Sequence, residues 1–230
     1  MSYVFEPAIR PAIAVAGSDA MFPVRRIFCV GRNYRDHVRE MGADADRDPP
    51  FFFTKPADAV VATGSAIPFP SLTQDLHHEI ELVVAIGKAG AAVAVDDAEA
   101  LIFGYATGID LTRRDLQLAA RHAGLPWDMG KGFDLSAPCA PIHRIAETGP
   151  IDFGPIWLRV DEEMRQQADI ADLIWPVPDL LARLSQAVEL QPGDLVYTGT
   201  PAGVGSVRAG QRLRGGVAGL TEIDVTIAAD

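Results

Sequence analysis

The sequence predicts an α+β fold that is mainly β, with a mixed or antiparallel β core and a few short helices. Short segments of strand character outnumber segments of helical character along the 230 residues. They do not alternate regularly with helices, so a doubly wound parallel sheet is not indicated. Apolar residues make up 48% of the chain and charged residues 22%, which is typical of a globular protein that buries a large core.

Strands are predicted where short apolar runs end at turn residues. The run 26–30 ends at Gly31, and the aromatic run 51–54 ends at Lys55. The other predicted strands are 79–86, 103–109, 157–160, 164–166, 195–198 and 222–227. The two segments that flank residues 161–163 are predicted to pair as a hairpin.

Helices are predicted over 34–41, 98–102, 112–122 and 178–190. Thr112 is the predicted N-cap of the third helix, with Asp115 three residues later, and Gly124 is its predicted end. The fourth helix has leucines and a valine at helical spacing. The acidic stretch 43–50 contains a double proline, which predicts a loop.

The length fits one domain with a short extension. We expect residues 1–24 to form a short N-terminal lead-in and residues 25–230 to form the main domain. No run approaches the roughly 18 apolar residues of a membrane helix. The first residues also lack the basic and then apolar pattern of a secretory signal.

Charge and cysteine content exclude several classes of function. The formal net charge is −11, from 31 acidic and 20 basic residues, which argues against nucleic-acid and anionic-membrane surfaces. Only two cysteines occur, and no CxxC motif is present. A disulfide scaffold or a thiolate zinc site is therefore not expected, and a reducing, cytoplasmic environment is predicted.

The segment 77–81, His-His-Glu-Ile-Glu, predicts a metal site. On a strand, Glu79 and Glu81 would share one face with His77. Adjacent carboxylates repel each other unless a cation neutralises them, and oxygen ligands favour a hard divalent cation over zinc. The alternative is that these residues form the solvated face of an edge strand. The apolar run 82–86 argues against this alternative, because it indicates that the strand enters the core.

Asp110 is a candidate for the third ligand. It follows the apolar, glycine-rich segment 104–109, so it lies at the end of a predicted core strand. Taken alone, it could equally cap a helix or form a turn. Together with the two glutamates, it would make a hard-metal site with positions left for water and substrate.

His37 and Glu40 lie three residues apart on a predicted helix and therefore share a face. A carboxylate that orients an imidazole makes it a better base toward water. The alternative is a surface ion pair. Lys131 lies between two glycines in a predicted loop that could direct its ammonium inward, or it could be solvent-exposed.

Three further segments could bind an anionic substrate. Arg32 follows Gly31 at a strand-to-helix turn, and Thr200 belongs to a second glycine-rich loop after a strand. Gln117 and Arg113 lie on the helix after Asp110 and could line the same cleft. Each of these residues could also be solvated.

The ordered set of motifs resembles the fumarylacetoacetate hydrolase family. The matching segments are 31–34, 37–41, 53–56, 77–82, 104–105, 110–117, 125–127, 131–134 and 193–205. Each motif is weak alone, but together they follow the family's order across about residues 25–228.

The resemblance implies a mixed β-roll or sandwich fold and a homodimer. It also implies Mg²⁺ or Mn²⁺, with Ca²⁺ as a substitute, held by Glu79, Glu81 and Asp110. In the family, the pair matched by His37 and Glu40 activates water, and the lysine matched by Lys131 assists near the metal. The positions of Arg32, Gln117 and Thr200 belong to substrate binding.

Within the family, residues 49–58 are similar to bacterial fumarylpyruvate hydrolases of gentisate breakdown. The resemblance therefore implies hydrolysis of a carbon–carbon bond in an acylpyruvate, with fumarylpyruvate giving fumarate and pyruvate. Oxaloacetate decarboxylation or isomerisation of a hydroxy-dienedioate would use the same enolate chemistry. A catalytically silent metal-binding or ligand-binding protein is a third reading.

Two features depart from the family's pattern. Asp161-Glu162-Glu163 stands where the family often has Asn-Gly in a hairpin turn, which leaves the register of that hairpin open. The chain also lacks the long N-terminal domain of the large animal enzyme, so it resembles the short members of the family.

Overall fold

The computed structural model describes residues 2–40 and 49–229, apart from the side chain of Val38. Met41 of the first predicted helix and residues 43–48 of the predicted loop lie outside the described residues. The helices are α1 (Arg35–Glu40), α2 (Val95–Ala98), α3 (Arg114–Ala123), α4 (Asp128–Lys131), α5 (Ile145–Thr148) and α6 (Val177–Ala187). In the described part of the chain, no helix has the length and apolar character needed to cross a membrane.

The first nine strands are β1 (Ala12–Ala14), β2 (Met21–Pro23), β3 (Arg26–Gly31), β4 (Phe51–Lys55), β5 (Val60–Ala62), β6 (Ala66–Ile67), β7 (Leu76–His78), β8 (Ile80–Ile86) and β9 (Ile102–Ile109). The other nine are β10 (Thr112–Arg113), β11 (Ala137–Cys139), β12 (His143–Arg144), β13 (Pro155–Val160), β14 (Glu163–Asp169), β15 (Asp194–Tyr197), β16 (Gly205–Val207), β17 (Arg212–Val217) and β18 (Ile223–Ile227). The predicted α+β class with a mainly β core is confirmed.

The central sheet is mixed, with the order β4-β3-β15-β8-β9-β11-β5 and with β12 also paired to β9. Its β3–β15 and β5–β11 pairs are parallel, and its other pairs are antiparallel. A five-stranded sheet has the order β14-β13-β17-β18-β6, and a small sheet has the order β10-β7-β16. The hairpin of β1 and β2 packs by its buried side chains into the core. The predicted boundary between residues 24 and 25 stays a prediction.

Strand β8 is buried on both faces. Leu82, Val84 and Ile86 belong to the larger core cluster, whereas Val83 and Ala85 belong to the smaller one. Alternate residues of a strand point to opposite faces, so burial on both faces requires an unbroken apolar run. This is why the segment after Glu81 is continuously apolar.

The predicted strand 79–86 is interrupted at its first residue. β8 and β9 pair in the central sheet with Ile80 opposite Ile109, while β7 and β10 pair in the small sheet with His77 opposite Thr112. Two paired chain segments therefore cross together from one sheet into the other. Glu79 and Asp110 lie between the sheets at this crossing, where the N–H of Asp110 donates to the carbonyl of Glu79 at 2.8 Å.

Two helix predictions need correction. Thr112 is not an N-cap, because it pairs in β10 and helix α3 begins at Arg114 without a side-chain cap. The predicted helix end is confirmed, since Gly124 has φ of 65° and donates to the last carbonyls. The predicted helix 98–102 is a helix over 95–98 followed by a 3₁₀ turn over 99–101, and Ile102 already belongs to β9.

The hairpin of β13 and β14 has a defined register. Val160 pairs with Glu163 across a two-residue turn at Asp161 and Glu162. Asp161 has φ of 54°, and its carboxylate accepts hydrogen bonds from the N–H of Arg212 and the amide of Gln211. These bonds stabilise Asp161 in the left-handed conformation, which glycine or asparagine usually adopts. A register shift follows one pair later, between Leu158 and Arg159.

Asp194 begins β15 and fastens it to β3, which orients the loop that continues to Thr200. Its fully buried carboxylate is held bidentately by Arg26, at 3.0 and 2.6 Å, and also by Arg25 at 3.2 Å. The N–H of Gln191 donates to it at 2.9 Å. Removing the charge from a buried, multiply bonded carboxylate is strongly unfavourable.

We expect Asp194→Asn to lower the free energy of unfolding by about 2 kcal/mol. The matched control is Asp224→Asn, which breaks a partly exposed pair with Arg212 and should cost under about 1 kcal/mol. Urea unfolding of both variants measures the difference. Equal losses would show that Asp194 does not anchor the strand.

Candidate active site

Three carboxylates meet where the chain crosses between the sheets. One oxygen each of Glu79, Glu81 and Asp110 lies within 4.8 Å of the other two, and all three residues are buried. Glu81 follows Glu79 by two residues, so the extended chain directs both to one side. The N–H of Gly199 donates to Oε2 of Glu81 at 2.7 Å, which fixes this carboxylate from the loop after β15.

Three buried cations surround this carboxylate cluster. Nζ of Lys131 lies 2.8 Å from Oε2 of Glu79 and 2.7 Å from Oδ2 of Asp110. Nζ of Lys55 lies 2.8 Å from Oδ1 of Asp110, and Nη2 of Arg114 lies 2.5 Å from Oε1 of Glu79. The cations offset the repulsion among the acids, so the cluster can form inside the protein.

The two glutamates respond differently to this environment. Burial, followed by repulsion from Asp110 and Glu79, raises the pKa of Glu81 well above its ordinary value. Burial also opposes ionisation of Glu79, but Lys131 and Arg114 outweigh it and hold the pKa of that carboxyl below its usual range. Glu81 is therefore the acid whose charge most needs a further cation.

The donor set suits a hard divalent cation. All three candidate ligands are carboxylates, the oxygen donors that Mg²⁺ and Mn²⁺ prefer. Oδ1 of Asp110 is buried, and no donor of the described residues meets it with hydrogen-bond geometry, although Lys55 is near. A carboxylate oxygen has two lone pairs, so Oδ1 can bind a metal ion while it remains near Lys55. The residues fit the metal that the sequence predicts.

His37 lines a cavity that Glu79 also lines, and Glu40 contacts His37. Nδ1 of His37 is 3.2 Å from Oε2 of Glu40, and the imidazole is mostly buried. The N–H of Gly203 lies 3.3 Å from the same carboxylate oxygen. Since Nδ1 is engaged, Nε2 is the ring nitrogen available to the cavity.

One narrow cavity joins the predicted residues. Those that line it directly are Arg32, His37, Glu79, Gln117, Lys131 and Thr200. Glu40 contacts His37, while Glu81 and Asp110 lie against Glu79. The structure therefore places all nine predicted residues in one cluster, and their roles stay predictions.

The cavity on its own encloses about 30 Å³. It adjoins a larger cavity of about 400 Å³, with which it shares Phe53, Trp127 and Lys131. Phe51 and Trp127 meet edge to face there, with ring centroids 4.9 Å apart. The larger cavity thus has an aromatic wall beside the buried charges.

Gln117 presents hydrogen-bond donors to the cavity. Nη1 of Arg114 bonds the side-chain oxygen of Gln117, and a guanidinium can only donate. The NH₂ group of the Gln117 amide is therefore directed away from Arg114. No acceptor among the described residues forms a hydrogen bond with it. Arg114 orients this glutamine, while its own N–H groups are bound to Glu79 and His77.

The direction of hydrogen bonds also orients Thr200. The oxygen of Gln166 accepts from the N–H of Ile80 at 3.1 Å and lies 2.9 Å from Nδ1 of His78. Burial lowers the pKa of His78 to about 4, so this imidazole is neutral near pH 7. The NH₂ of Gln166 then donates to Oγ1 of Thr200 at 2.8 Å, which leaves the hydroxyl proton of Thr200 free to be donated to a ligand.

The sequence did not reveal several residues of this site. Lys55 and Arg114 were not assigned to it, although a lysine at the end of an apolar strand and an arginine one turn before Gln117 were available signals. Arg113 was expected in the cleft, but its guanidinium lies 4.4 Å from the centroid of the Phe133 ring. Lys131 ends a short helix rather than lying in a loop.

Comparisons with known proteins identify relatives over most of this chain. A family model described as fumarylacetoacetate (FAA) hydrolase C-terminal matches residues 26–228. A fumarylpyruvate hydrolase from Ralstonia sp is 44% identical over 189 residues, which are 81% of this chain and 98% of the relative. A mitochondrial oxaloacetate tautomerase from Oryza sativa subsp. japonica is 35% identical over 218 residues, 94% of this chain and 96% of the relative.

A solved structure shares the whole fold. The crystal structure of fumarylpyruvate hydrolase from Pseudomonas aeruginosa, in complex with Mn²⁺ and pyruvate, is 49% identical. It superposes with a TM-score of 0.97 and covers 100% of both chains. With the family match over nearly the entire chain, this likeness confirms the resemblance and the β-roll fold that it implied: the chain belongs to the fumarylacetoacetate hydrolase family.

Proposed function

We propose that this chain is a metal-dependent hydrolase that cleaves the carbon–carbon bond of an acylpyruvate, with fumarylpyruvate as its substrate. The observation that carries the proposal is that His37, held by Glu40, lines the same cavity as Glu79, one of three clustered buried carboxylates. The likeness to fumarylpyruvate hydrolases from Ralstonia and Pseudomonas supports the choice of substrate.

Glu79, Glu81 and Asp110 would hold Mg²⁺ or Mn²⁺, with Ca²⁺ as a substitute. The Mn²⁺ in the Pseudomonas relative supports this assignment. When bound, the cation supplies positive charge that polarises the 2-oxo acid and stabilises the enolate of the leaving pyruvate. Local positive charge of this kind is required because the protein as a whole carries a net charge of −11.

The chain's own residues bind the substrate and move the proton. The amide of Gln117 and the hydroxyl of Thr200 donate to its oxygens, with Arg32 at the same cavity. His37, held by Glu40, takes a proton from water at Nε2, and the resulting hydroxide attacks the 4-oxo carbon.

The C3–C4 bond then breaks to give the carboxylic acid and the pyruvate enolate, and a proton transferred to C3 completes pyruvate. Lys131 contributes positive charge near the developing oxyanion.

Oxaloacetate chemistry is the second candidate function. The rice relative is an oxaloacetate tautomerase at 35% identity, and the same cluster could stabilise the enolate in decarboxylation or in isomerisation of a hydroxy-dienedioate. None of these reactions needs an activated water as nucleophile. The His37–Glu40 pair therefore favours hydrolysis.

Assembly and location belong to the same proposal. A homodimer, a cytoplasmic location and a role in gentisate breakdown are implied by the resemblance. Four large apolar side chains near the N-terminus, those of Tyr3, Val4, Phe5 and Ile9, are at least 69% exposed, which supports an association surface. Light scattering of the purified chain measures whether it is a dimer.

The proposal is tested by turnover of fumarylpyruvate and acetylpyruvate, with excess Mg²⁺ or Mn²⁺ and again with EDTA. Loss of the enol absorbance and release of pyruvate are followed together. Metal-dependent pyruvate release supports hydrolysis. Absence of pyruvate from either substrate, with turnover of oxaloacetate instead, would replace the proposed activity by the second candidate.

We expect Asp110→Asn and Glu81→Gln to lose Mn²⁺ affinity and turnover together, because each removes an anionic ligand. The affinity should fall by roughly 100-fold or more, as measured by the electron paramagnetic resonance of free Mn²⁺. Asp96→Asn, at an exposed position of α2, is the matched control. Unchanged Mn²⁺ binding by both site variants would refute the ligand assignment.

His37→Ala should separate metal binding from catalysis. The variant keeps the three carboxylates, so Mn²⁺ binding should not change, while kcat should fall by about 10²- to 10⁴-fold because the general base is lost. His122→Ala removes an exposed imidazole and serves as the control. Full turnover by His37→Ala would show that another group activates the water.

A further inference from the structure

We propose that Arg121 binds the carboxylate at the acyl end of the substrate and thereby selects dianionic acylpyruvates; this rests on the proposed function. Fumarylpyruvate carries one carboxylate beside its 2-oxo group and a second at the far end of its seven-carbon chain. Acetylpyruvate lacks the second carboxylate. A cation placed away from the metal cluster would distinguish the two substrates.

Arg121 has the position that this role requires. It lines the same cavity as Gln117 and Arg114, and these three residues of α3 are spaced by three and four, so they share one helix face. Helical rise places Arg121 about 6 Å beyond Gln117 and roughly 10 Å beyond Arg114 along the axis. Since Arg114 bonds Glu79, Arg121 lies at the opposite end of the face from the metal cluster.

The other cations at the site are already engaged. Lys131, Lys55 and Arg114 bond the buried carboxylates or nearby carbonyl groups. Arg32 lies over the ring of Phe51, 5.7 Å from its centroid, and it has further contacts. By contrast, no carboxylate of the described residues lies within salt-bridge distance of Arg121, so its guanidinium is available to an incoming anion.

The wall of the cavity suits the middle of the fumaryl group. Phe53 and Trp127 line the cavity together with Arg121, and their ring centroids lie 5.8 Å apart. A flat, conjugated carbon chain packs well against aromatic rings, whereas a carboxylate there would lose its hydration without compensation. The cavity thus combines donors at the metal end, an apolar wall and, in Arg121, an arginine on the helix face beyond Gln117.

The test compares two substrates across matched variants. Arg121→Leu should lower kcat/KM for fumarylpyruvate by roughly 10- to 100-fold, the loss expected for one charge-assisted hydrogen-bonded pair. Its kcat/KM for acetylpyruvate should change by less than about threefold, and this retained turnover shows that the variant folds. Arg121→Lys should recover part of the loss. Arg159→Leu removes the same charge from an exposed strand position and should change neither value.

The outcomes separate the inference from the proposed function. If the unchanged protein hydrolyses neither substrate, the proposed function fails. If it hydrolyses both and Arg121→Leu reduces them equally, or reduces neither, the role of Arg121 is refuted. A selective loss in Arg32→Leu, with none in Arg121→Leu, would assign the distal carboxylate to Arg32 and also refute the inference.

Discussion

The burial of three carboxylates within 4.8 Å of one another constrains the structure more than any other feature. Uncompensated, such a group would cost several kcal/mol per charge. The compensation comes from Lys55, Lys131 and Arg114, which belong to three separate segments. The crossing of paired strands from the central sheet to the small sheet brings Glu79 and Asp110 together, and these cations must converge on that crossing. Fold and site are therefore set by one electrostatic requirement.

Hydrogen-bond direction extends this constraint to the cavity. Arg114 can only donate, so Gln117 must turn its oxygen toward Arg114 and its NH₂ toward the cavity. Gln166 is fixed in the same way by the N–H of Ile80, and it leaves Thr200 as a donor. The amide oxygens of Gln117 and Gln166 accept hydrogen bonds from groups outside the cavity. The NH₂ of Gln117 and the hydroxyl of Thr200 are therefore left as donors toward the cavity. An acidic protein can in this way offer an anion-binding surface without a large excess of cationic side chains.

The parts of the site that depend on local spacing are visible in the amino-acid sequence. Glu79 and Glu81 alternate on an extended segment, His37 and Glu40 lie one helical turn apart, and Asp110 ends an apolar strand. Each of these patterns spans only a few residues, so the sequence displays it directly. The same holds for Gly124, whose left-handed conformation ends α3.

Contacts between residues far apart in the chain are not visible in the sequence. Lys55 reaches a carboxylate 55 positions later in the chain, and nothing near Lys55 indicates that partner. Gln166 is buried within a strand whose neighbouring residues are largely exposed, so its role shows only in three dimensions. Thr112 carries a helix-capping pattern, but pairing of β10 with β7 takes the residue into a strand. There, its hydroxyl contacts Glu79 and Lys131 instead.

The contrast between Arg114 and Arg121 shows how one helix can serve both stability and selectivity. Arg114 is buried, and its charge is acceptable only because Glu79 pairs with it, so it cannot be released to a substrate without leaving a buried carboxylate uncompensated. Arg121 lies in the last turn of α3 and is partly exposed. Solvent and the negative end of the helix dipole both stabilise its charge there. It can therefore remain unpaired at little cost and meet a carboxylate without first breaking an internal ion pair.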